Sequence, residues 1–177
     1  MTMETGLIHV YTGNGKGKTT SAVGLAARAL GQGLNVVYCY FMKRPDLYGY
    51  HEIDSLKKLG AVVMGFTDGH PFFDKSLTAE LLGIQLREAL LTLKNYLAEN
   101  EVDLLIMDEI LIAVRDHFLE EELLVNFIDS KPQGTELVLT GRGATDKVKA
   151  KANYVSEIKK IKHPFDEGIG SRKGIEF

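Results

Sequence analysis

One eight-residue stretch constrains this chain more than any other: Gly13-Asn14-Gly15-Lys16-Gly17-Lys18-Thr19-Thr20. Before it stands a short run at 7–12, rich in β-branched and aromatic residues, which reads as a strand. After it comes an Ala- and Leu-rich stretch at 18–30, stopped by Gly31 and Gly33, which reads as a helix. Strand, glycine loop and helix in that order, with Gly-Lys-Thr at the end of the loop, make a phosphate-binding P-loop. Glycines let successive backbone N–H groups converge on phosphate oxygens, and the helix N-terminus adds partial positive charge. Lys18 supplies a point charge, and the Thr19 hydroxyl is placed for Mg²⁺. The ligand expected is ATP. The usual pattern has four residues between the first glycine and the Gly-Lys pair. Here Gly13 and Gly17 enclose three, so the loop is one residue short and predicts a different triphosphate pose.

The rest of the chain continues the alternation. Strands are expected at 35–41, 61–65, 103–107, 136–140 and, more weakly patterned, 154–161. Helices are expected at 50–59, 76–98, 110–129 (interrupted near Phe118) and 145–152, with a turn at 132–134 and a Gly-rich irregular tail from 162. Apolar strands alternating with helices imply an α/β fold in three layers, with a mostly parallel sheet covered on both faces. A length of 177 residues suits a single domain over 1–177. Ligands in such sheets bind beyond the carboxyl ends of the strands.

A second motif lies at such an end. Residues 104–107 are apolar and lead into Asp108 and Glu109, the form of a Walker B element. One of these carboxylates is expected to serve Mg²⁺, and the second is open to a general-base role if water attacks ATP. Composition narrows the partners. A net charge of −3 is not the footprint of a nucleic-acid-binding chain. The charge is uneven: 99–129 is acidic and 142–173 basic, which reads either as two solvated faces or as a basic region that helps hold polyphosphate. The single cysteine, Cys39, lies in an apolar run and reads as a buried small hydrophobe. With no signal peptide in the first residues and no apolar run of about 20 residues, the expectation is a cytoplasmic protein without a membrane span. His9, His51, His70 and His117 have no metal-ligand spacing and read as structural.

The chain resembles the ATP:corrinoid adenosyltransferases of the cob(I)yrinic acid a,c-diamide type. The short loop at 13–20 carries the resemblance, with Gly65-Phe66-Thr67, Asp108-Glu109 and Thr140-Gly141-Arg142-Gly143. Val155-Ser156-Glu157, Lys162-His163-Pro164-Phe165 and the closing Gly174-Ile175-Glu176-Phe177 complete it. The resemblance implies a RecA-like fold, a homodimer, and transfer of the 5′-adenosyl group of ATP to Co(I) of a corrinoid with release of triphosphate. A separate electron donor would supply Co(I), itself a strong nucleophile, so the protein's share would be alignment and charge stabilisation. It further implies that Asn14 to Thr20 wrap the triphosphate, with Lys18 and Thr19 central. Asp108 and Glu109 would serve Mg²⁺, Arg142 and Gly143 would lie at the nucleotide, His163 with Lys162 near the ATP pocket, and Phe66 at the corrinoid face. Plain alternatives stand beside three of these: Phe66 as core, His163 as a surface loop residue, Arg142 as a partner for a nearby carboxylate. Where family members often carry a tryptophan after Gly-Phe-Thr, this chain has Asp68. After the second strand, where Lys-Gly and a tryptophan are common, it reads Lys43-Arg44-Pro45-Asp46-Leu47-Tyr48. Family members also often have an N-terminal extension over the corrinoid, and the sequence given has about six residues ahead of its first strand. Two other functions remain compatible with the P-loop: an ATPase or small-molecule kinase, and a non-catalytic ATP-binding module.

Overall fold

A computed structural model describes residues 4–72 and 74–176; residues 1–3, Phe73 and Phe177, the last residue of the closing motif, lie outside the described residues. The elements in chain order are β1 (Ile8–Thr12), α1 (Lys18–Gly31), β2 (Val36–Tyr40), α2 (Pro45–Tyr48), α3 (His51–Lys58), β3 (Val62–Gly65) and α4 (Ala79–Glu99). They continue with β4 (Leu104–Asp108), α5 (Ile110–Arg115), α6 (Glu121–Ser130), β5 (Glu136–Thr140), α7 (Asp146–Lys151), β6 (Tyr154–Glu157) and a 3₁₀ turn at Pro164–Glu167. The strands form one sheet in the order β3-β2-β4-β5-β1-β6. Every pairing is parallel, so the expectation of a mostly parallel sheet is met in full.

The period of two along a strand divides the core. Leu105 and Met107 of β4 face one side, where they meet Leu82, Leu86 and Leu93 of α4 and Leu124 and Ile128 of α6. Leu104 and Ile106 face the other side, with Ala22 and Ala26 of α1 and Ile53 and Leu56 of α3. Asp108 continues the second set and is 0 % exposed. Burying each such Leu or Ile contributes roughly 1.5–3 kcal/mol, which fixes strand register against slips. The small alanines of α1 let that helix approach the sheet closely and bring its N-terminus to the end of β1.

Several boundaries differ from expectation for local reasons. α4 starts at Ala79 because the Thr78 hydroxyl caps it, accepting from Leu81 N at 3.1 Å, while Ser76 bonds to Asp74 instead. The expected break near Phe118 is real: α5 ends at Arg115, and His117 takes φ +60° before α6 begins. The loop after β2 holds a short helix, α2, that the pattern does not announce. β6 stops at Glu157, and the 3₁₀ turn is the regular piece of the tail.

Candidate active site

The glycine loop follows β1 at the carboxyl edge of the sheet. Gly13 and Gly17 take φ of +102° and +127°, which L side chains rarely adopt. A Cβ on Gly13 would lie 2.4 Å from Ile158 O, and one on Gly15 would lie 2.7 Å from Lys159 O. The chain beyond β6 therefore packs directly on the loop. Ile158 N donates to Thr12 O at 2.8 Å, and Gly15 N donates to Ile158 O at 2.7 Å. Gly17 is the N-cap of α1 and offers no side chain to the helix's first N–H groups, which leaves them for an anion. Lys18 is 7 % exposed, and its Nζ donates to Gly15 O at 2.8 Å. Burial, with repulsion from Arg142, pulls its pKa below the ordinary lysine value against attraction from Glu109 and Asp108.

The two carboxylates at the end of β4 differ sharply. Asp108 Oδ2 accepts from Tyr38 OH at 2.9 Å and Thr19 Oγ1 at 3.3 Å, and pairs with Lys43 Nζ at 2.6 Å. Its Oδ1 accepts from Thr140 Oγ1 at 2.6 Å. Burial opposes this charge, but Lys43 and the hydrogen bonds outweigh burial and hold the carboxyl below its usual range. Lys43, itself 6 % exposed, also reaches Glu52 Oε1 at 2.9 Å, and the two carboxylates hold its pKa above the lysine norm in spite of burial. Glu109 is turned out of the strand by φ +67°, and its Oε2 is buried with no hydrogen-bond partner. Burial and the neighbouring Asp108 raise its pKa. Among the described residues no group of three His, Cys, Asp or Glu side chains could hold a metal by itself. The Thr19 hydroxyl, oriented by Asp108, and the unpaired Glu109 oxygen suit a hard cation that takes its other ligands from phosphate or water.

A cavity of about 620 Å³ opens over the loop. Asn14 to Thr20 line it, as do Glu109, Arg142 and His163. These predicted residues thus converge from four separate stretches of chain. Arg142 has no ion pair among the described residues, and His163 Nδ1 accepts from Phe165 N at 3.2 Å. Gly13, Gly143, Asp108 and Phe66 are not part of that lining. Gly13 and Gly143 shape turns; a Cβ on Gly143, at φ +74°, would lie 2.5 Å from Arg115 Cδ. Phe66 is half-buried and stacks on Phe41 with centroids 5.6 Å apart. The basic stretch contributes Arg142 to the cavity, whereas Lys147, Lys151, Lys160 and Lys162 pair with Glu122, Asp129, Asp166 and Glu167. Lys162 is among the residues outside the lining.

The sequence reading missed the opposite wall, where Lys43, Tyr50, His51, Glu52 and Ser55 line the same cavity. The available signal was position, since Lys43 follows a parallel strand at its carboxyl end. Tyr50 has φ +41°, a strained value for a residue with a side chain, and its ring lies 4.9 Å from Lys43 Nζ. A second cavity of about 490 Å³ lies on the other side of Tyr50, with Met42, Leu47, Tyr48 and His70 among its walls. The two cavities share Tyr50, Ser171 and Glu176.

Residues 4–177 match the family model described as ATP:corrinoid adenosyltransferase BtuR/CobO/CobP. A corrinoid adenosyltransferase of Escherichia coli is 32% identical over 174 residues, covering 98% of this chain and 87% of that one. The Pseudomonas aeruginosa corrinoid adenosyltransferase is 33% identical over 98% of this chain and 85% of its own. Corrinoid adenosyltransferase CobA of Salmonella typhimurium is 32% identical over 98% and 87%. Among solved structures, the flagellar accessory protein FlaH from Methanocaldococcus jannaschii superposes with a TM-score of 0.61 at 14% identity, over 88% of this chain and 72% of that one. At that identity the likeness bears on the fold alone, and it agrees with the RecA-like α/β fold expected from the sequence.

Proposed function

The chain belongs to the ATP:corrinoid adenosyltransferase family, an enzyme family, and on that footing we propose how its residues move the 5′-adenosyl group of ATP to the cobalt of a corrinoid. The observation that carries the reading is the pair of adjoining cavities. One is lined by phosphate-binding groups, the other is largely apolar, and Tyr50 stands between them. A reaction that joins a nucleotide carbon to a macrocycle needs two such sites in contact.

The triphosphate lies in the loop at 13–20, against Lys18, the N–H groups at the start of α1, and Arg142. The electron pair of Co(I) forms the bond to C5′. The C5′–O bond breaks, its electrons leave on the triphosphate, and cobalt becomes formally Co(III). The Co(I) state comes from an outside electron donor. No protein base is required, because the nucleophile carries no proton. Lys18 and Arg142 neutralise the charge that grows on the leaving oxygen, where a positioned donor is worth on the order of 3 kcal/mol. Mg²⁺ would be held by Thr19 and Glu109, with Asp108 orienting the Thr19 hydroxyl from behind, and would supply further positive charge to the phosphates. His163 borders the nucleotide, Gly143 shapes the turn that follows Arg142, and Phe66 backs the loop that leads to the corrinoid side. The active unit is a homodimer of single-domain chains. No helix among the described residues is long and apolar enough to cross a membrane; we place the enzyme in the cytoplasm.

The test is to incubate the protein anaerobically with ATP, Mg²⁺ and a chemically reduced corrinoid, then identify the phosphorus products. Triphosphate formed in step with a photolabile adenosylcorrinoid is expected. ADP released without corrinoid, and no photolabile product, would transfer the chain to the ATPase or kinase reading. Binding of ATP with neither product would leave a nucleotide-binding module.

A further inference from the structure

Three residues line both cavities: Tyr50, Ser171 and Glu176. Ser171 is exposed and belongs to the irregular tail. The Glu176 carboxylate is already taken, since it accepts from Arg172 N at 2.8 Å, Arg172 Nε at 3.2 Å and Arg172 Nη2 at 3.0 Å. Tyr50 differs from both. It is half-buried, and it belongs to the body of the fold, where it opens α3.

Its backbone is what sets it there. Gly49 takes φ +94°, and Tyr50 follows at φ +41° and ψ +61°. A side chain in the left-handed region carries a standing cost that glycine or asparagine would lower. The Tyr50 side chain does not cap the helix in return, and its hydroxyl makes no hydrogen bond among the described residues. What the strained turn delivers is the ring. Lys43 Nζ lies over it, 4.9 Å from the centroid, and the Tyr48 ring meets it edge-on at 6.4 Å. Lys43 is pinned by Asp108 and Glu52, and Asp108 accepts from Thr19 Oγ1. The ring is thus braced, through two side chains, against the phosphate loop.

The transferred carbon has to lie where the cavities meet, because cobalt approaches from one and triphosphate leaves into the other. The Tyr50 ring is at that boundary. A flat, braced surface there bears on the ribose from one side and on the corrin edge from the other. The first ligand to arrive orders the ring, and the second meets a wall already ordered. We infer that Tyr50 is a positioning residue for adenosyl transfer: its ring, set by the Gly49–Tyr50 turn and braced by Lys43, holds C5′ and cobalt in line and makes each substrate tighten the binding of the other. The inference rests on the adenosyl-transfer reading above.

The experiment measures that linkage with ATP, Mg²⁺ and cob(II)inamide under nitrogen and without reductant. Co(II) lacks the nucleophilic electron pair, so binding is read without turnover. In the parent protein, calorimetry should show ATP affinity rising about fivefold when cob(II)inamide is saturating, and the reverse by the same factor. The chain contains no tryptophan, so Tyr50→Trp introduces a single reporter whose emission should respond to each ligand alone. Tyr50→Asn tolerates the left-handed backbone and removes the ring. There the linkage should vanish and kcat with both substrates saturating, the corrinoid now as Co(I), should fall about tenfold or more, while affinity for ATP alone shifts less than about threefold. Tyr50→Phe returns the ring and should restore the linkage and most of kcat. Independent or antagonistic binding in the parent, reporter emission that ignores either ligand, or linkage and kcat unaltered in Tyr50→Asn overturns the inference and leaves adenosyl transfer standing. If cob(II)inamide does not bind, or the reduced corrinoid yields no photolabile product in the parent, the transfer reading falls and this one with it.

Discussion

Replacing Lys43 with Met should expose the main electrostatic strain in this fold. The methionine keeps the unbranched stem and removes the ammonium that lies 2.6 Å from Asp108 and 2.9 Å from Glu52. Glu52, with 18% of its side chain exposed, can turn toward water, but Asp108 at 0% cannot. Breaking one side of a buried ion pair costs about 3–5 kcal/mol, and Tyr38, Thr140 and Thr19 remain as donors, so the low end, about 3 kcal/mol, is expected near neutral pH. For a chain of this size that lowers Tm by about 6–12 °C. The pH dependence separates this cause from lost packing. In the parent, Asp108 titrates below its unfolded value, so its stabilisation is present above about pH 4 and is lost as pH falls through the folded value. Without Lys43 burial dominates, and the carboxyl titrates above its unfolded value. The variant then loses stability as pH rises above about 4, and the gap to the parent widens toward pH 8. Thermal unfolding followed by circular dichroism across that range measures it. The Lys43→Met, Asp108→Asn double variant should recover part of the loss, because the buried charge is gone. A gap that is the same at acid and neutral pH, or no recovery in the double variant, would refute the reasoning.

Lys18→Ala should retain the fold and lose about 10²-fold or more in turnover at saturating ATP, the scale of one charged donor at a developing anion; full turnover removes Lys18 from the mechanism. Gly13→Ala meets both φ +102° and the Ile158 carbonyl, so ATP affinity measured by calorimetry should collapse; unaltered affinity would mean the loop is held elsewhere. Glu109, with its pKa raised, must lose a proton to meet a cation, so Mg²⁺ affinity in the presence of ATP should rise with pH through the mildly acid range. Glu109→Gln should flatten that profile, and an identical slope in the variant would assign the proton to another group. Phe66→Ala removes a half-buried ring stacked on Phe41 and should cost roughly 2 kcal/mol in stability. Its adenosylation defect should be larger with Co(II) plus reductant than with pre-formed Co(I); equal defects would make Phe66 core alone.

The parts of the site that were legible in the sequence are those written in contiguous residues. The loop at 13–20 specifies itself, since its glycines, Lys18 and Thr19 are held in place by backbone that is local. Asp108 and Glu109 were visible because an apolar run ended in two acids. Lys43, Tyr50 and Glu52 were not visible, because their meaning depends on sheet order. β2 lies beside β4, and the register sets Tyr40 opposite Asp108. The residues just past Tyr40 therefore arrive at that carboxylate from more than sixty positions away in the chain, a contact no local pattern encodes. The missed helix α2 is four residues long, too short for any periodicity to show. The two readings left open for the basic stretch at 142–173, solvated face or polyphosphate holder, could not be told apart from sequence for a related reason. Composition registers the lysines there, but not the acidic partners on α6 and in the tail that occupy them.

The adjacent acids at the end of β4 show how one step along the backbone separates two chemical roles. Asp108 is the last residue of a strand whose even-numbered side chains face α1 and α3, so it is driven into that layer with Leu104 and Ile106. Burial there is tolerable because Lys43, Tyr38, Thr19 and Thr140 all reach it. Glu109 leaves the strand at φ +67°, and its N–H is held by Thr140 Oγ1 at 2.9 Å, which turns the side chain toward the nucleotide cavity. The same hydroxyl thus donates to Asp108 and accepts from Glu109, fixing the two carboxylates relative to each other. One is ionised and saturated, the other has an unpaired oxygen and a proton affinity raised partly by the first. On the adenosyl-transfer reading this makes Asp108 the fixed charge that organises Thr19 and Lys43. Glu109 is then the group that can exchange its proton for a cation when the nucleotide arrives. Neither acts on the carbon that is transferred, which is what a reaction with a metal-centred nucleophile requires of its protein.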